Sequence, residues 1–266
     1  MCHDAQINTC SGTTNNPTLS FSGGSAVKLV LPDGANTVEQ NNSVVLLEDA
    51  AHAVEIGNGA ILRTIDTTGN ALIEFFNAPR RMIRVKTGGT LASLSTDLRS
   101  EVIYLRAGSD DVRITIEKGA VVEGAAGEVI RSTNAATGAL LDNAGTIRRS
   151  SAGGDRLIHL FEASVLNRAG GLAQNNDAED AVVELENGGT LTNFGNIQNL
   201  GSGLAFEGDL TDTVTEAAAI AQNLAVVEFG VRAEFQEAGY IFLRLQGRRS
   251  EETTEHPGSF GLSFTF

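Results

Sequence analysis

Four histidines, two cysteines and two tight groups of carboxylates are the residues of this chain whose types and spacing suggest chemistry. The histidines are His3, His52, His159 and His256. No two stand at the short spacings by which one segment presents paired metal ligands. His159 lies in the run Leu157-Ile158-His159-Leu160. Alternating with Leu160, it is expected to face solvent. Cys2 and Cys10 lie close together near the start. In an oxidising compartment they would close a small loop as a disulfide; otherwise they are two thiols in a terminal segment. His3, next to Cys2, completes no zinc spacing with them.

Glycan lyases and hydrolases need clustered carboxylates. The candidates are Asp110-Asp111 and the stretch from Asp177 to Asp180. The first pair precedes Val112 in a turn-like setting, and the second follows Asn175 and Asn176, so both read as solvated loops. On a strand, adjacent aspartates would point to opposite faces and not act as a pair. Neither a nucleophile elbow nor a phosphate-binding glycine loop occurs. The dibasic pairs Arg80-Arg81, Arg148-Arg149 and Arg248-Arg249 read as solvated corners. The sequence therefore assigns no catalytic, cofactor-binding or metal-binding residue, and no cofactor.

Composition points the same way. The net charge of -14 opposes a phosphate backbone and argues against nucleic-acid binding. Aromatics are 5% and tryptophan is absent, so broad stacking platforms are scarce. Thirty glycines against four prolines suggest many tight turns between short strands. No run of 18 apolar residues is present for a transmembrane helix. Residues 1–20 lack the basic and apolar regions of a secretion signal, which leaves two readings, a cytoplasmic protein or a fragment that starts inside a longer precursor; the start MCHDAQINTC favours the fragment.

The elements that would carry these residues follow from two markers with one period. Gly59-Ala60-Ile61, Gly89-Thr90-Leu91 and Gly119-Ala120-Val121 are spaced by 30 residues, with further copies at Gly145-Thr146-Ile147, Gly170-Gly171-Leu172, Gly189-Thr190-Leu191 and Gly195-Asn196-Ile197. Aliphatic pairs keep a similar beat: Val44-Val45, Leu72-Ile73, Val102-Ile103, Val129-Ile130, Leu157-Ile158 and Val182-Val183. Ile114-Thr115-Ile116 and Val183-Glu184-Leu185 alternate with period two, as strands do. Asn58-Gly59, Asn143-Ala144-Gly145 and Asn187-Gly188-Gly189 suit turns with positive φ. A repeat of this length holds three short strands per coil, stacked about 4.8 Å apart. The expected fold is all-β: a right-handed, single-stranded parallel β-helix of about six coils, the handedness following the general rule for parallel crossovers.

The expected organisation is an N-terminal cap at 1–25, the solenoid at 26–203, a linker and short helix at 204–225, and three barrel-type strands at 226–266. Thr213-Val214-Thr215-Glu216 has the form of a capping box before an alanine-rich helix. Val227 to Phe235, Ile241 to Leu245 and Phe260 to Phe266 alternate apolar and polar residues, the pattern of barrel strands. As a folded monomer these strands would form a small antiparallel sheet.

DNAGTI (142–147) and ENGGTLTNFGNI (186–197) resemble the passenger repeats of classical (type V) autotransporters, and GSFGLSFTF (258–266) is similar to that family's terminal barrel strand. The resemblance implies a non-catalytic passenger or stem at the bacterial outer membrane and cell surface, used in adhesion or display. It implies that Phe260, Leu262, Phe264 and Phe266 form a signal read by the barrel-assembly machinery. A host-surface or protein ligand would be the other partner. Three strands, where about eight is the least that closes a barrel, imply a truncated barrel. Two other readings remain open: a polysaccharide-acting β-helix enzyme, and a soluble solenoid binding module with a C-terminal cap.

Overall fold

The structure is a computed structural model. It describes residues 28–36, 53–65, 69–151, 155–176, 180–201 and 203–208 with their side chains, and the backbone of short strands outside these ranges.

Three parallel sheets run the length of a β-solenoid. The first face stacks Lys28–Leu31, Ala53–Ile56, Met82–Val85, Arg113–Ile116, Leu140–Asn143, Ser164–Asn167 and Thr190–Asn193. The chain then turns onto the second face, as in Ile61–Thr64, Thr90–Ser93, Val121–Gly124, Thr146–Arg149, Leu172–Asn175 and Asn196–Asn199. It closes each coil on the third face, in Ile73–Phe76, Ile103–Leu105, Ile130–Ser132, Ile158–Phe161, Val183–Glu186 and Phe206–Gly208. Among the described residues there is no helix.

Alternation explains why these segments are strands. On the first face the second residue of each strand points inward, giving the buried column Leu29, Val54, Ile83, Ile114, Leu141, Val165 and Leu191. Burying such columns against those of the other two faces supplies the driving force, at about 25 cal/mol for each Å² of apolar surface removed from water. The aliphatic pairs all open third-face strands in one register: Val45, Ile73, Ile103, Ile130, Ile158 and Val183. Leu72, Val102, Val129, Leu157 and Val182, the first members of five of the pairs, are completely buried at the corner before the strand.

The glycine marker is less uniform than its period suggests. Gly145, Gly171 and Gly195 precede second-face strands, whereas Gly189 precedes the first-face strand Thr190–Asn193. The two corners carry similar sequences, so the seven copies trace two corners and not one. Gly59 takes φ +63 as a turn residue should. Gly145 has no such φ; a Cβ there would lie 2.5 Å from the Ala120 carbonyl oxygen of the coil beneath. Its side chain is excluded by close approach.

Asn143, expected in a positive-φ turn, is instead 1% exposed and points inward. With Asn167 and Asn193 it forms a ladder: Asn143 Nδ2 donates to Asn167 Oδ1 at 2.8 Å, and Asn167 Nδ2 donates to Asn193 Oδ1 at 2.8 Å. The apolar column Leu31, Ile56, Val85 and Ile116 thus continues as stacked amides. Asn143 and Asn193 also accept from the N–H of Gly145 and Gly195, each at 3.1 Å, which satisfies the corner backbone. This is the usual requirement for a buried polar group.

At the ends, Ile7–Thr9 and Leu19–Phe21 already join the first and third sheets. Thr213–Glu216, the expected capping box, is a strand paired with Thr190–Asn193. The Thr-Val-Thr alternation suits the open edge of the stack, whose unpaired backbone groups favour another strand over a helix cap. The helix expected over 217–224 lies outside the described residues. Beyond it the backbone forms two antiparallel pairs, Ala233–Phe235 with Gly239–Ile241 and Arg248–Ser250 with Thr253–Glu255. Phe260, Leu262, Phe264, Phe266, Cys2 and Cys10 also lie outside the described residues, as do His3, His52 and His256.

Candidate functional site

The chemically loaded surface is the outer side of the third face. Each aliphatic pair is flanked by residues that the coil stacks into columns. Ahead of the pairs stand Ala71, Glu101, Glu128, Arg156 and Ala181. After them stand Glu74, Tyr104, Arg131, His159, Glu184 and Glu207, register partners of one another from coil to coil. Two residues further on come Phe76, Arg106, Thr133, Phe161 and Glu186.

Several of these groups are buried although they point away from the core. Glu128 is 3% exposed, Glu101 4%, Glu184 7% and His159 8%. They cover one another, because each long side chain lies over the next coil. Buried charges of this kind survive only when paired. Arg131 Nη1 meets Glu101 Oε1 at 3.2 Å, and its Nε meets Glu128 Oε2 at 3.0 Å. His159 bridges three coils, with Nδ1 2.8 Å from Glu128 Oε1 and Nε2 2.8 Å from Glu186 Oε1. Nε2 also lies 4.0 Å from Glu184 Oε1, while Arg156 holds Glu184 Oε2. The Phe161 ring tilts against the imidazole at 5.1 Å.

The electrostatics follow from this crowding. Burial pushes the Glu101 carboxyl up to about 7, with Arg131 opposing part of the rise. Burial likewise raises Glu184 against the pull of His159 and Arg156. Burial disfavours the imidazolium of His159, but the hydrogen bonds to Glu128 and Glu186 outweigh it and raise its pKa above the usual value. With a carboxylate on each ring nitrogen, the doubly protonated ring satisfies both. Toward the start of the face the groups become aromatic. Arg106 lies over Phe76 at 5.4 Å and over Tyr104 at 5.9 Å, Arg131 lies over Tyr104 at 5.4 Å, and Arg106 pairs with Glu74 at 2.7 Å.

The residues singled out from sequence fare unevenly. Asp110-Asp111 occupies a turn, Asp111 with φ 55, and Asp110 Oδ1 accepts from the Thr137 N–H of the next coil at 2.9 Å. It is a coil-to-coil tie away from the charged face. Of the second group, Asp180 is described and lies in the corner before Val183–Glu186, while 177–179 lie outside the described residues. His159 does point outward, but it is enclosed and not solvated. Arg148 is a surface partner of Glu123. Its neighbour Arg149 is 4% exposed and donates to the carbonyls of Gly127 and Arg156 at 3.2 and 2.9 Å, so that pair is only half a solvated corner. Arg81 is also buried.

Glu101, Glu128 and the Glu184/Glu186 pair were not legible as one cluster because one or two coils of sequence separate them from each other and from His159. The signal was present nonetheless. Reading the residues immediately before and after each aliphatic pair gives Glu101/Tyr104, Glu128/Arg131, Arg156/His159 and Ala181/Glu184.

The chain matches no protein-family model, no curated protein and no solved structure. What it is, at the level of class, is an all-β parallel β-solenoid repeat protein.

Proposed function

We propose that this chain is the non-catalytic solenoid stem of an autotransporter-like protein, presented at the bacterial outer membrane and used for adhesion or display. The observation that carries this reading is the uninterrupted coil-on-coil stacking, closed outside by matched charges. Glu55 pairs with Lys28 and Lys86, Glu117 with Arg84, Glu123 with Arg148, and Asp142 with Arg168. Each pair spans neighbouring coils, so the stack is tied along its axis and behaves as a stiff rod whose corners offer contacts. The resemblance of 142–147, 186–197 and 258–266 to passenger repeats and a terminal barrel strand supports the same reading. It brings the barrel-assembly machinery in as a partner, and a host-surface or protein ligand for the rod.

The test is membrane partition of the full chain carrying a secretion leader, compared with a copy lacking Phe266. The full chain is expected to resist alkaline extraction from outer membranes, and the shortened copy to be released. Equal solubility of both would remove the membrane anchor from this reading.

One observation favours a second reading, a polysaccharide-acting enzyme. Carboxylates from three coils, Glu101, Glu128 and the pair Glu184 and Glu186, do converge on one face together with His159 of the coil between Glu128 and Glu184. Release of new chain ends from an acidic polysaccharide by the wild type, and not by Glu128→Gln, would replace the first reading by the second.

A further inference from the structure

His159, Glu184 and Glu186 each present a ligand atom to one point on the outer side of the third face, and these atoms lie within 4.8 Å of one another. We propose that these three residues form a binding site for a divalent transition-metal ion, with His159 Nε2 and one oxygen of each glutamate as ligands and Glu128 holding the imidazole from behind.

The ligand set suits zinc or a similar first-row cation. One imidazole with two carboxylates is a donor set such ions accept, and three protein ligands leave a position for water. Four tetrahedral ligands about 2.1 Å from zinc stand about 3.4 Å apart, so the separations in the structure need only small side-chain shifts. His159 and Glu186, now 2.8 Å apart, would open slightly; Glu184, at 4.0 Å from Nε2, would close. Glu184 and Glu186 are alternate residues of one strand, so both project to the same side, one coil above His159.

A second feature is independent of the three ligands. Glu128, on the coil on the other side of His159, takes the remaining ring nitrogen at 2.8 Å. A carboxylate in that place fixes the tautomer that presents Nε2 to a metal, and metal-bound histidines nearly always have such a partner. Arg131 also pairs with Glu128, which holds that carboxylate in position. Arg156 engages only one oxygen of Glu184 and leaves the other facing the imidazole. The proposal does not depend on whether the rod is a stem or an enzyme. It would tie the coils of His159 and Glu184 through an ion where a proton now bridges His159 and Glu186.

The test is calorimetric titration of the chelator-treated full chain with zinc chloride, followed by the visible spectrum of the cobalt-substituted protein. Both are done in a Cys2→Ser, Cys10→Ser background, which removes the only thiolates. One zinc per chain is expected, with a cobalt spectrum of low-coordinate N/O ligation. Glu128→Gln should weaken binding by about 10–100-fold, the usual cost of losing an outer partner. His159→Ala and Glu186→Gln should weaken it further. Glu186 is the most exposed of the three, so its variant keeps the test decisive if His159→Ala does not fold. Absence of zinc binding at millimolar concentration, or unchanged binding in Glu186→Gln and Glu128→Gln, would overturn the proposal.

Discussion

Replacing Phe75 with alanine is expected to destabilise the solenoid by about 3–5 kcal/mol, the usual cost of truncating a fully buried aromatic ring. Phe75 is completely buried and faces inward from the third face, stacked on Leu105 of the next coil. The column continues through Ser132, Leu160 and Leu185. No larger side chain in the described core is fully buried, so the void left by alanine has few neighbours able to fill it. In a repeat protein each coil is held only by its neighbours. A defect at this coil should therefore divide the stack, broadening the denaturant transition as well as lowering its midpoint. Phe76, the next residue, supplies the control. It is 40% exposed and lies under Arg106. Its replacement by alanine is expected to cost about 0.5–1 kcal/mol, the value of a surface cation–π contact. Equal losses at the two positions would contradict the assigned register.

The second large effect concerns Glu101 and pH. In the folded chain its carboxyl titrates at about 7. In the unfolded chain it titrates near ~4.3. At pH values below both, each state holds the proton and no stability is lost. Between the two values the folded state alone keeps it, so stability falls as pH rises, and the loss is complete above about pH 7. The full loss is on the order of 3 kcal/mol. Glu101→Gln keeps a neutral polar group in place of the acid and removes this slope. The variant should match the wild type near pH 4 and exceed its stability at pH 8, as read from urea midpoints across that range. A variant less stable than the wild type at every pH would mean that Arg131 keeps Glu101 ionised throughout.

The fold was largely legible because a solenoid writes its geometry into spacing. Ile73, Ile103, Ile130, Ile158 and Val183 are direct neighbours in one sheet, and the sequence intervals between them are the circumference of the coil. Gly189 misled because two corners of one coil meet the same steric demand and select similar residues. Thr213–Glu216 misled because a threonine-rich segment ending in glutamate satisfies a local capping pattern, while the sheet edge beside it offers more hydrogen bonds than a cap would. The candidate site was hidden for a different reason. His159 has no chemical neighbour within its own strand except Phe161; its partners Glu128 and Glu186 come from the coils on either side. Motifs built on short spacing do not detect such a site. Columns read at the period of the repeat do.

The central claim is that the rod stands on the outside of the cell, and protease treatment of intact Gram-negative cells tests it most directly. Cells would express the full chain with a secretion leader and receive protease before and after permeabilisation. Surface presentation is expected to give cleavage on intact cells, with a resistant fragment matching the densely stacked coils from about residue 53 to 201. A chain untouched on intact cells and cut only after permeabilisation would contradict the account.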